Sequence, residues 1–246
     1  MPPIIHLSQT TSTNDSLSEL VRREKPENGS IVYTDFQTSG RGQAGSGWES
    51  EKGKNLLFSI VFYPENVSIQ QNFILSQMVA VAIADVLKTL LPSESVSIKW
   101  ANDIYVGEKK IVGILIENII QGARVSTSIA GIGLNVNQLL FRSNAPNPVS
   151  LRQLTGKTFD LVELLNKLQH SLLKQFALLQ QNRTAITTNY IHNLFRREGY
   201  HNYADENGTF KAKFHNILPD GQLILETKEG EKKYFFFKEL QFLFDK

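Results

Sequence analysis

The sequence has no cysteine, and only five histidines are scattered among its 246 residues. Without cysteine it can form no disulfide, no thiolate metal site and no cysteine nucleophile. Histidines without a close partner leave few ligands for zinc as well. These absences indicate a reduced, intracellular protein, and we expect no metal site built from its own side chains.

An excess of one charge is also lacking, because 26 basic residues face 24 acidic ones, for a net charge of +2. That balance gives no reason to expect nucleic acid or an anionic membrane as the main partner. The most apolar runs, 56–63 and 78–84, fall short of the roughly 18 residues of a membrane helix. The first residues lack the basic and apolar regions of a signal peptide. We therefore expect a cytoplasmic protein without a membrane partner.

Strand and helix patterns alternate over most of the chain. Apolar spacing predicts helices over 13–23, over 71–90 and from Asp160 onward. Predicted strands cover 30–36, 55–63, 96–100, 103–106, 110–118 and 124–131. After Arg197 three short β-rich runs follow, separated by turns that contain glycine. The pattern predicts strands and helices that alternate over 1–196 and a small β-barrel or meander over 197–246.

Four glycines fall between Gly40 and Gly47. Such a loop exposes backbone N–H groups that can approach an anion, and a flexible surface loop is an equally good interpretation. Gly40, Gly42 and Gly45 also match the dinucleotide pattern G-x-G-x-x-G. That pattern must open a helix, and the strand predicted at 55–63 leaves no room for one. We therefore reject a dinucleotide site.

Two further clusters contain charged residues, KWAND at 99–103 and KIVGILIE at 110–117. Each charge taken alone is more typical of a surface ion pair than of catalysis. Trp100 is likewise more typical of a core than of an adenine-stacking platform. Strict strand alternation predicts that Lys110 faces away from both Gly113 and Glu117.

Five segments together are more specific than any one of them. They are Ser12 to Asn14, Gly40 to Gly42 with Trp48, 99–103, 110–117 and 131–137. In this order and spacing they closely resemble the biotin protein ligases, or biotin–[acetyl-CoA-carboxylase] ligases. The resemblance implies an α+β fold, in which a mixed β-sheet with flanking helices forms the biotin/lipoate ligase catalytic domain over 1–196 and a small SH3-like β-barrel follows over 197–246. Because the first motif begins at Ser12, we expect the monofunctional form, without an N-terminal DNA-binding domain and without DNA as a partner.

The resemblance implies a two-step reaction. Biotin and ATP, with Mg²⁺, give biotinyl-5′-AMP, and a lysine of a biotin carboxyl carrier domain then accepts the biotinyl group. Arg41, Lys110 and Asp103 would be catalytic: the two cations neutralise phosphate charge, and Asp103 accepts or orients the proton of the acceptor amine. A homodimer is a further assembly to test.

The resemblance also assigns binding residues. Biotin would be bound by Ser12, Thr13, Asn14, Gln37, Arg41, Gly42, Gln43 and Lys110. ATP would be bound by Arg41, Asn102, Asp103, Lys110 and Asn135. Hydroxyl and amide groups suit a ureido ring, which both donates and accepts hydrogen bonds.

The chain departs from the family pattern at three positions. Many members have arginine where this chain has Gln43, another arginine near Ser46, and proline at Ala101. Losing a guanidinium removes charge-assisted bonds to phosphate, which should weaken retention of the adenylate more than the chemistry. Two other interpretations remain open, a lipoate or octanoate ligase and a non-catalytic protein that binds biotin or its carrier.

Overall fold

Seven strands form one mixed sheet. A computed structural model describes residues 1–43, 47–143 and 147–244. The strands in chain order are β1 (Ile4–Leu7), β2 (Ile31–Thr34), β3 (Leu56–Phe62), β4 (Val96–Lys99), β5 (Asp103–Val106), β6 (Lys109–Gln121) and β7 (Arg124–Leu134). Across the sheet the order is β1-β2-β3-β7-β6-β5-β4. β1 and β2 run parallel, and the other neighbours run antiparallel, so the sheet is mixed as predicted.

Helices cover both faces of this sheet. The helices in chain order are α1 (Thr13–Glu24), α2 (Phe73–Leu90), α3 (Leu151–Thr155), α4 (Leu161–Gln181) and α5 (Arg183–His192). β3 is buried on both faces, with alternate side chains on each. Phe58 and Ile60 belong to the large core that includes α2 and α4, whereas Val61 packs with Leu17 of α1. The α1 face is the one that carries the cavity described below.

The predicted helix boundaries are confirmed to within two residues. α1 begins at Thr13 as expected, and Asp160 caps α4 by accepting a hydrogen bond from the Glu163 N–H at 2.8 Å. The short helices α3 and α5 and the edge strand β1 were not predicted, because each offers few apolar residues to define a period.

The segment Ile69–Leu90 is the one stretch of the described chain that is long and apolar enough to cross a membrane, and its most apolar 18-residue window has a mean hydropathy of 1.7. A search of the sequence for uninterrupted apolar runs does not find this segment, because Ser76 and Gln77 interrupt its apolar residues. Its most apolar window is 72% buried inside the protein. It contains α2, which packs against α4, α5 and the sheet, so its hydropathy is explained by its place in the core.

A second, five-stranded antiparallel sheet follows. Its strands are β8 (His201–Asp205), β9 (Gly208–Ile217), β10 (Leu223–Thr227), β11 (Lys232–Phe235) and β12 (Gln241–Phe242), in the order β11-β10-β9-β8-β12. This sheet is consistent with the expected SH3-like module. It contacts the first part of the chain through Trp100, whose indole N–H donates to the Gly221 carbonyl at 2.9 Å. Trp100 is 5% exposed, which confirms it as a core residue.

Candidate active site

A cavity opens on the α1 face of the seven-stranded sheet. Its floor is formed by the middle of β6 and β7. Its walls are formed by the start of α1 and by the Gly-rich loop that begins at Gly40, of which residues 41–43 and 47 line the cavity. Ten of the eleven predicted site residues line it: Ser12, Thr13, Asn14, Gln37, Arg41, Gly42, Gln43, Asn102, Asp103 and Lys110. The sequence prediction that these distant segments form one site is therefore supported by their positions.

The inner end of the cavity is a network of hydrogen bonds among neutral side chains, with one further bond from Asn14 to the Glu117 carboxylate. Ser59 of β3 lies 2.7 Å from the Thr13 hydroxyl and 2.6 Å from Asn14 Oδ1. Gln37 Oε1 accepts from the Thr13 N–H at 2.8 Å, and Asn14 Nδ2 donates to Glu117 at 2.7 Å. These contacts orient each amide, because an amide donates through nitrogen and accepts through oxygen.

Ser12 completes this inner end. It is the N-cap of α1, yet its side chain makes no capping hydrogen bond. Since Ser12 lines the cavity, its hydroxyl is placed to bind a ligand. The start of a helix also carries partial positive charge, which suits an acceptor such as a carbonyl oxygen.

Glycines give the floor its depth. Gly113 of β6 and Gly133 of β7 are cross-strand partners, and the Trp48 indole lies directly on both. A Cβ on Gly133 would come within 2.4 Å of the indole ring, and one on Gly131 within 2.4 Å of Asn14 Oδ1. Any side chain at these positions would therefore displace a wall of the cavity.

A β-bulge corrects the predicted orientation of Lys110. The register of β5 with β6 shifts between Ile104 and Tyr105, so Ile104 pairs with Val112 while Tyr105 pairs with Lys110. The extra residue reverses the alternation of side chains. Lys110 therefore lies on the same face as Gly113 and Glu117, and the prediction of opposite faces is wrong. Period 2 failed here because it assumes an unbroken ladder.

Carboxylates surround Arg41 at the mouth of the cavity. Its Nη1 and Nη2 donate to the two carboxylate oxygens of Asp15 at 2.9 and 2.6 Å, and Nη2 lies 3.6 Å from Glu117. The hydrogen bonds to Asp15 raise the pKa of Arg41, helped by the charges of Asp15 and Glu117 and opposed by burial. The guanidinium is thus fixed in place and fully charged.

Lys110 and Asp103 form the second charged pair of the mouth. Lys110 Nζ lies 2.8 Å from Asp103 Oδ1, and both side chains are about one-quarter exposed. The ammonium also lies 5.6 Å from the centre of the Trp48 ring. Both proposed cations therefore have a carboxylate partner, and an anionic ligand must share or replace these partners.

The two predicted asparagines differ in position. Asn102 lines the cavity, but it is buried and its amide donates to the Ile114 carbonyl. Asn135 lies outside the main cavity, in the wall of an adjacent hollow that it shares with Lys110 and Trp48. Its Nδ2 donates to the Val149 carbonyl at 3.1 Å, while its buried Oδ1 has no hydrogen-bond partner among the described residues.

The segment 141–143 contributes Phe141 and Ser143 to the lining of the adjacent hollow. Glu49 binds this segment, because its carboxylate accepts from the N–H groups of Arg142 and Ser143 at 2.8 and 2.7 Å. Burial raises the pKa of Glu49, but the hydrogen bonds from Ser143 and Arg142 outweigh it and lower the pKa. The predicted effect of Ser46 lies outside the described residues.

Four site residues were not assigned roles from the sequence. Ser59, Asp15 and Glu117 hold the polar side chains in place, and Phe237 adds a wall from the C-terminal module. Ser59 could have been identified from the sequence, because it is the only polar residue in the buried strand LLFSIVF. Phe237 could not have been identified in this way, since its loop approaches the cavity only through the packing of the two sheets.

Within the described residues, no group of three or more histidine, aspartate or glutamate side chains could bind a metal ion. Asp103 is the carboxylate that lines the cavity. Mg²⁺ is usually bound by one or two carboxylates together with substrate phosphates, so a single carboxylate fits an ion that arrives with a nucleotide.

Several known proteins are similar to this chain in sequence. A profile of the biotin/lipoate A/B protein ligase family matches residues 7–135. The bifunctional ligase/repressor BirA of Bacillus spizizenii is 32% identical, over 94% of this chain and 72% of that protein. A biotin–[acetyl-CoA-carboxylase] ligase of Paracoccus denitrificans is 31% identical, over 66% of this chain and 68% of that protein.

Solved structures show the same architecture. The biotin protein ligase of Aquifex aeolicus, in complex with biotin and ATP, covers 99% of this chain and all of its own, with a TM-score of 0.78 and 24% identity. The enzyme of Leishmania major, in complex with biotinyl-5-AMP, has a TM-score of 0.67 and 20% identity over 96% of this chain and 99% of its own. At these identities the likeness establishes the fold. Together with the family profile, it shows that the chain belongs to the biotin/lipoate A/B protein ligase family and has the biotin protein ligase fold.

Proposed function

We propose that this protein activates biotin with ATP to biotinyl-5′-AMP and then transfers the biotinyl group to a lysine of a biotin carboxyl carrier domain. The finer assignment is a biotin–[acetyl-CoA-carboxylase] ligase, as in the relative from Paracoccus denitrificans. The site roles proposed below use the residues that the sequence predicted.

One observation carries the proposal, the change of polarity along the cavity. Its inner end offers neutral groups that are already oriented, whereas its mouth holds Arg41 and Lys110. Biotin has the same distribution, because a neutral ureido ring is followed by an apolar chain and a carboxylate. The ring would bind near Ser12, Thr13 and Asn14, and the carboxylate would lie at the mouth.

The first step needs charge neutralisation. A carboxylate oxygen of biotin attacks the α-phosphorus of ATP, and the bond from that phosphorus to the pyrophosphate oxygen breaks. Negative charge accumulates around the phosphorus, and fixed cations stabilise it because they need no reorganisation. Lys110 lines both the main cavity and the adjacent hollow, so it can contact biotin and nucleotide at once.

The adenine and ribose would occupy the adjacent hollow. Asn135 supports this position, because its buried Oδ1 has no hydrogen-bond partner in the part of the chain that the structure describes and can accept one from a ligand. When bound with ATP, Mg²⁺ supplies further positive charge on the phosphates, and Asp103 would hold it.

The second step needs a neutral amine. The acceptor nitrogen attacks the acyl carbon, AMP leaves, and the amine loses a proton. A free lysine has a pKa near 10.4, so a carboxylate that accepts or orients this proton assists the reaction. Asp103 lies at the mouth where the acceptor must enter, and Lys110 fixes its orientation.

The test is incubation of the purified protein with ATP, Mg²⁺, biotin and an isolated carrier domain, followed by intact-mass analysis of the acceptor. We expect the mass of one biotinyl group to be added. The matched control is the same acceptor with its target lysine replaced by arginine, which should gain nothing. No gain on the native acceptor would overturn the proposal, and a gain with lipoate alone would instead identify a lipoate ligase.

The choice of carboxylase stays a prediction, as do a homodimer, the absence of a DNA partner and a cytoplasmic location. We also propose the domain division 1–196 and 197–246. It is supported by the end of α5 at His192 and the start of β8 at His201.

A further inference from the structure

Asp15 lies in the first turn of α1, directly after the polar residues of the inner end. Both of its carboxylate oxygens accept hydrogen bonds from Arg41, which belongs to the Gly-rich loop. We propose that Asp15 is a positioning residue, which orients Arg41 and keeps the start of this loop against α1. Its effect on the release of biotinyl-5′-AMP rests on the proposed function, whereas its effect on the loop does not.

The geometry leaves Arg41 able to bind a ligand. A guanidinium has five N–H donors in a planar fork. Asp15 uses one from each terminal nitrogen, so three donors are left for an anion or a carbonyl. A bidentate pair also fixes the plane of the guanidinium, which a single contact would not do.

Glu117 links the Arg41–Asp15 pair to the inner end of the cavity. One of its oxygens accepts from Asn14 at 2.7 Å, and the other lies 3.6 Å from Arg41 Nη2. Asp15 and Asn14 are neighbours on α1, so the loop and the ring-binding residues share one rigid support. A shift of Arg41 away from Asp15 would thus loosen the mouth without unfolding the inner end.

Among the residues that the structure describes, two backbone contacts also lie at the base of this loop. At its base the Trp48 N–H donates to the Gly40 carbonyl at 3.0 Å, and Arg41 pairs with Gly47 as an isolated bridge. Glycine has no side chain to pack, so the Arg41–Asp15 ion pair adds a side-chain contact between the start of the loop and α1. Exposed ion pairs are individually weak, which predicts changes of about two- to fivefold rather than a loss of function.

The first test is limited trypsin digestion of the ligand-free protein, because trypsin must draw the Arg41 side chain away from Asp15 before it cleaves after Arg41. We expect Asp15→Asn to speed this cleavage about two- to fivefold. Cleavage after Arg22 and Arg23 in the same digest provides the internal reference. Asp15→Glu should restore slow cleavage, since it keeps the carboxylate. Glu19→Gln, which removes an exposed charge one turn later on α1, should behave like the unmodified protein.

Equal cleavage after Arg41 in Asp15→Asn and the unmodified protein would overturn the proposal. The second test measures release of preformed biotinyl-5′-AMP in a chase with unlabelled biotin and ATP. Faster release in Asp15→Asn that returns to the unmodified rate in Asp15→Glu supports the positioning role, and equal release in all three proteins contradicts it. An unmodified protein that forms no adenylate would refute the proposed function, while the digestion result would still decide the role of Asp15 in the loop.

Discussion

The two ends of the cavity are built differently. At the inner end Ser12, Thr13 and Asn14 are at most 4% exposed and are arranged by neutral hydrogen bonds. At the mouth the side chains of Arg41 and Asp15 are 44% and 48% exposed and are paired by charge. Salt screens exposed charges over about 10 Å at 0.1 M, but it has little effect on buried neutral contacts. The inner end is therefore suited to recognition, and the mouth to charge that changes during a reaction.

The largest effect is expected at the mouth, from Lys110→Ala. This change removes a fixed positive charge from the place where phosphate charge would reorganise, and the rate of adenylate formation should fall about 100- to 1,000-fold. Pyrophosphate release under single-turnover conditions measures it.

Lys109→Ala is the matched control for Lys110→Ala. Lys109 is the preceding residue of β6, is exposed and does not line the cavity. It should release pyrophosphate at the unmodified rate. A normal rate in Lys110→Ala would show that the mouth does not supply catalytic charge through this residue.

The next largest effect is expected at the inner end, from Gly131→Ala. Its Cβ would lie 2.4 Å from Asn14 Oδ1, so Asn14 must move. Displacement of a positioning group by about 1 Å can cost about 100-fold, and we expect kcat/KM for biotin to fall by that order.

Gly122→Ala controls for a general loss of stability. Gly122 has a φ of +62° in the turn between β6 and β7, and a Cβ there would meet nothing within 4 Å. Alanine at this position should lower the free energy of unfolding by about 1 kcal/mol through backbone strain alone. If both variants lost biotin affinity equally, the effect of Gly131→Ala would be one of stability and not of the inner end.

Ser59→Ala sharpens the comparison with a smaller change. It removes the hydroxyl that contacts Thr13 and Asn14, and the loss of this hydrogen-bond partner for buried Asn14 Oδ1 costs about 1–3 kcal/mol. If about half of this cost falls on ligand binding, biotin affinity decreases about two- to tenfold. Isothermal titration at low and high salt should give the same loss, because no charge is removed.

Ser30→Ala is the control for Ser59→Ala. Ser30 is equally buried and also makes a side-chain hydrogen bond, to the Glu27 carbonyl at 2.6 Å, but it does not line the cavity. It should lose stability and keep its biotin affinity. An equal loss of affinity in both variants, or a salt-dependent loss in Ser59→Ala, would contradict a separate, neutral inner end.

The sequence predicts the inner end better than the mouth. Ser12 to Asn14 lie in one continuous motif, and the first turn of a helix follows from capping chemistry. The mouth depends on a bulge in β6 that turns Lys110, and on the meeting of Arg41 with Asp15 from a distant segment. A bulge adds one residue without changing composition, so no periodicity reveals it.

Prediction of the fold from the sequence has the same limit. Long periodic elements such as α2 and α4 were predicted, because burying one face imposes a repeat on the sequence. Phe237 could not be placed, since its approach to the cavity depends on how two separate sheets pack. Local rules thus account for elements and motifs, while contacts between distant segments require the structure.

The smallest effect is expected from Gln43→Arg, which adds charge to the mouth alone. Gln43 lines the cavity, where a guanidinium could form charge-assisted bonds to the phosphate of biotinyl-5′-AMP. Replacing a neutral hydrogen bond by a charge-assisted one gains about 1 kcal/mol, or several-fold in residence time. Release of preformed adenylate in a chase should slow by this factor and regain its original rate at high salt, while the rate of adenylate formation stays unchanged. Gln121→Arg adds the same charge at the exposed end of β6, away from the cavity, and should release adenylate at the unmodified rate. If Gln43→Arg released it equally fast, retention in this protein would depend on the neutral inner end and not on charge at the mouth.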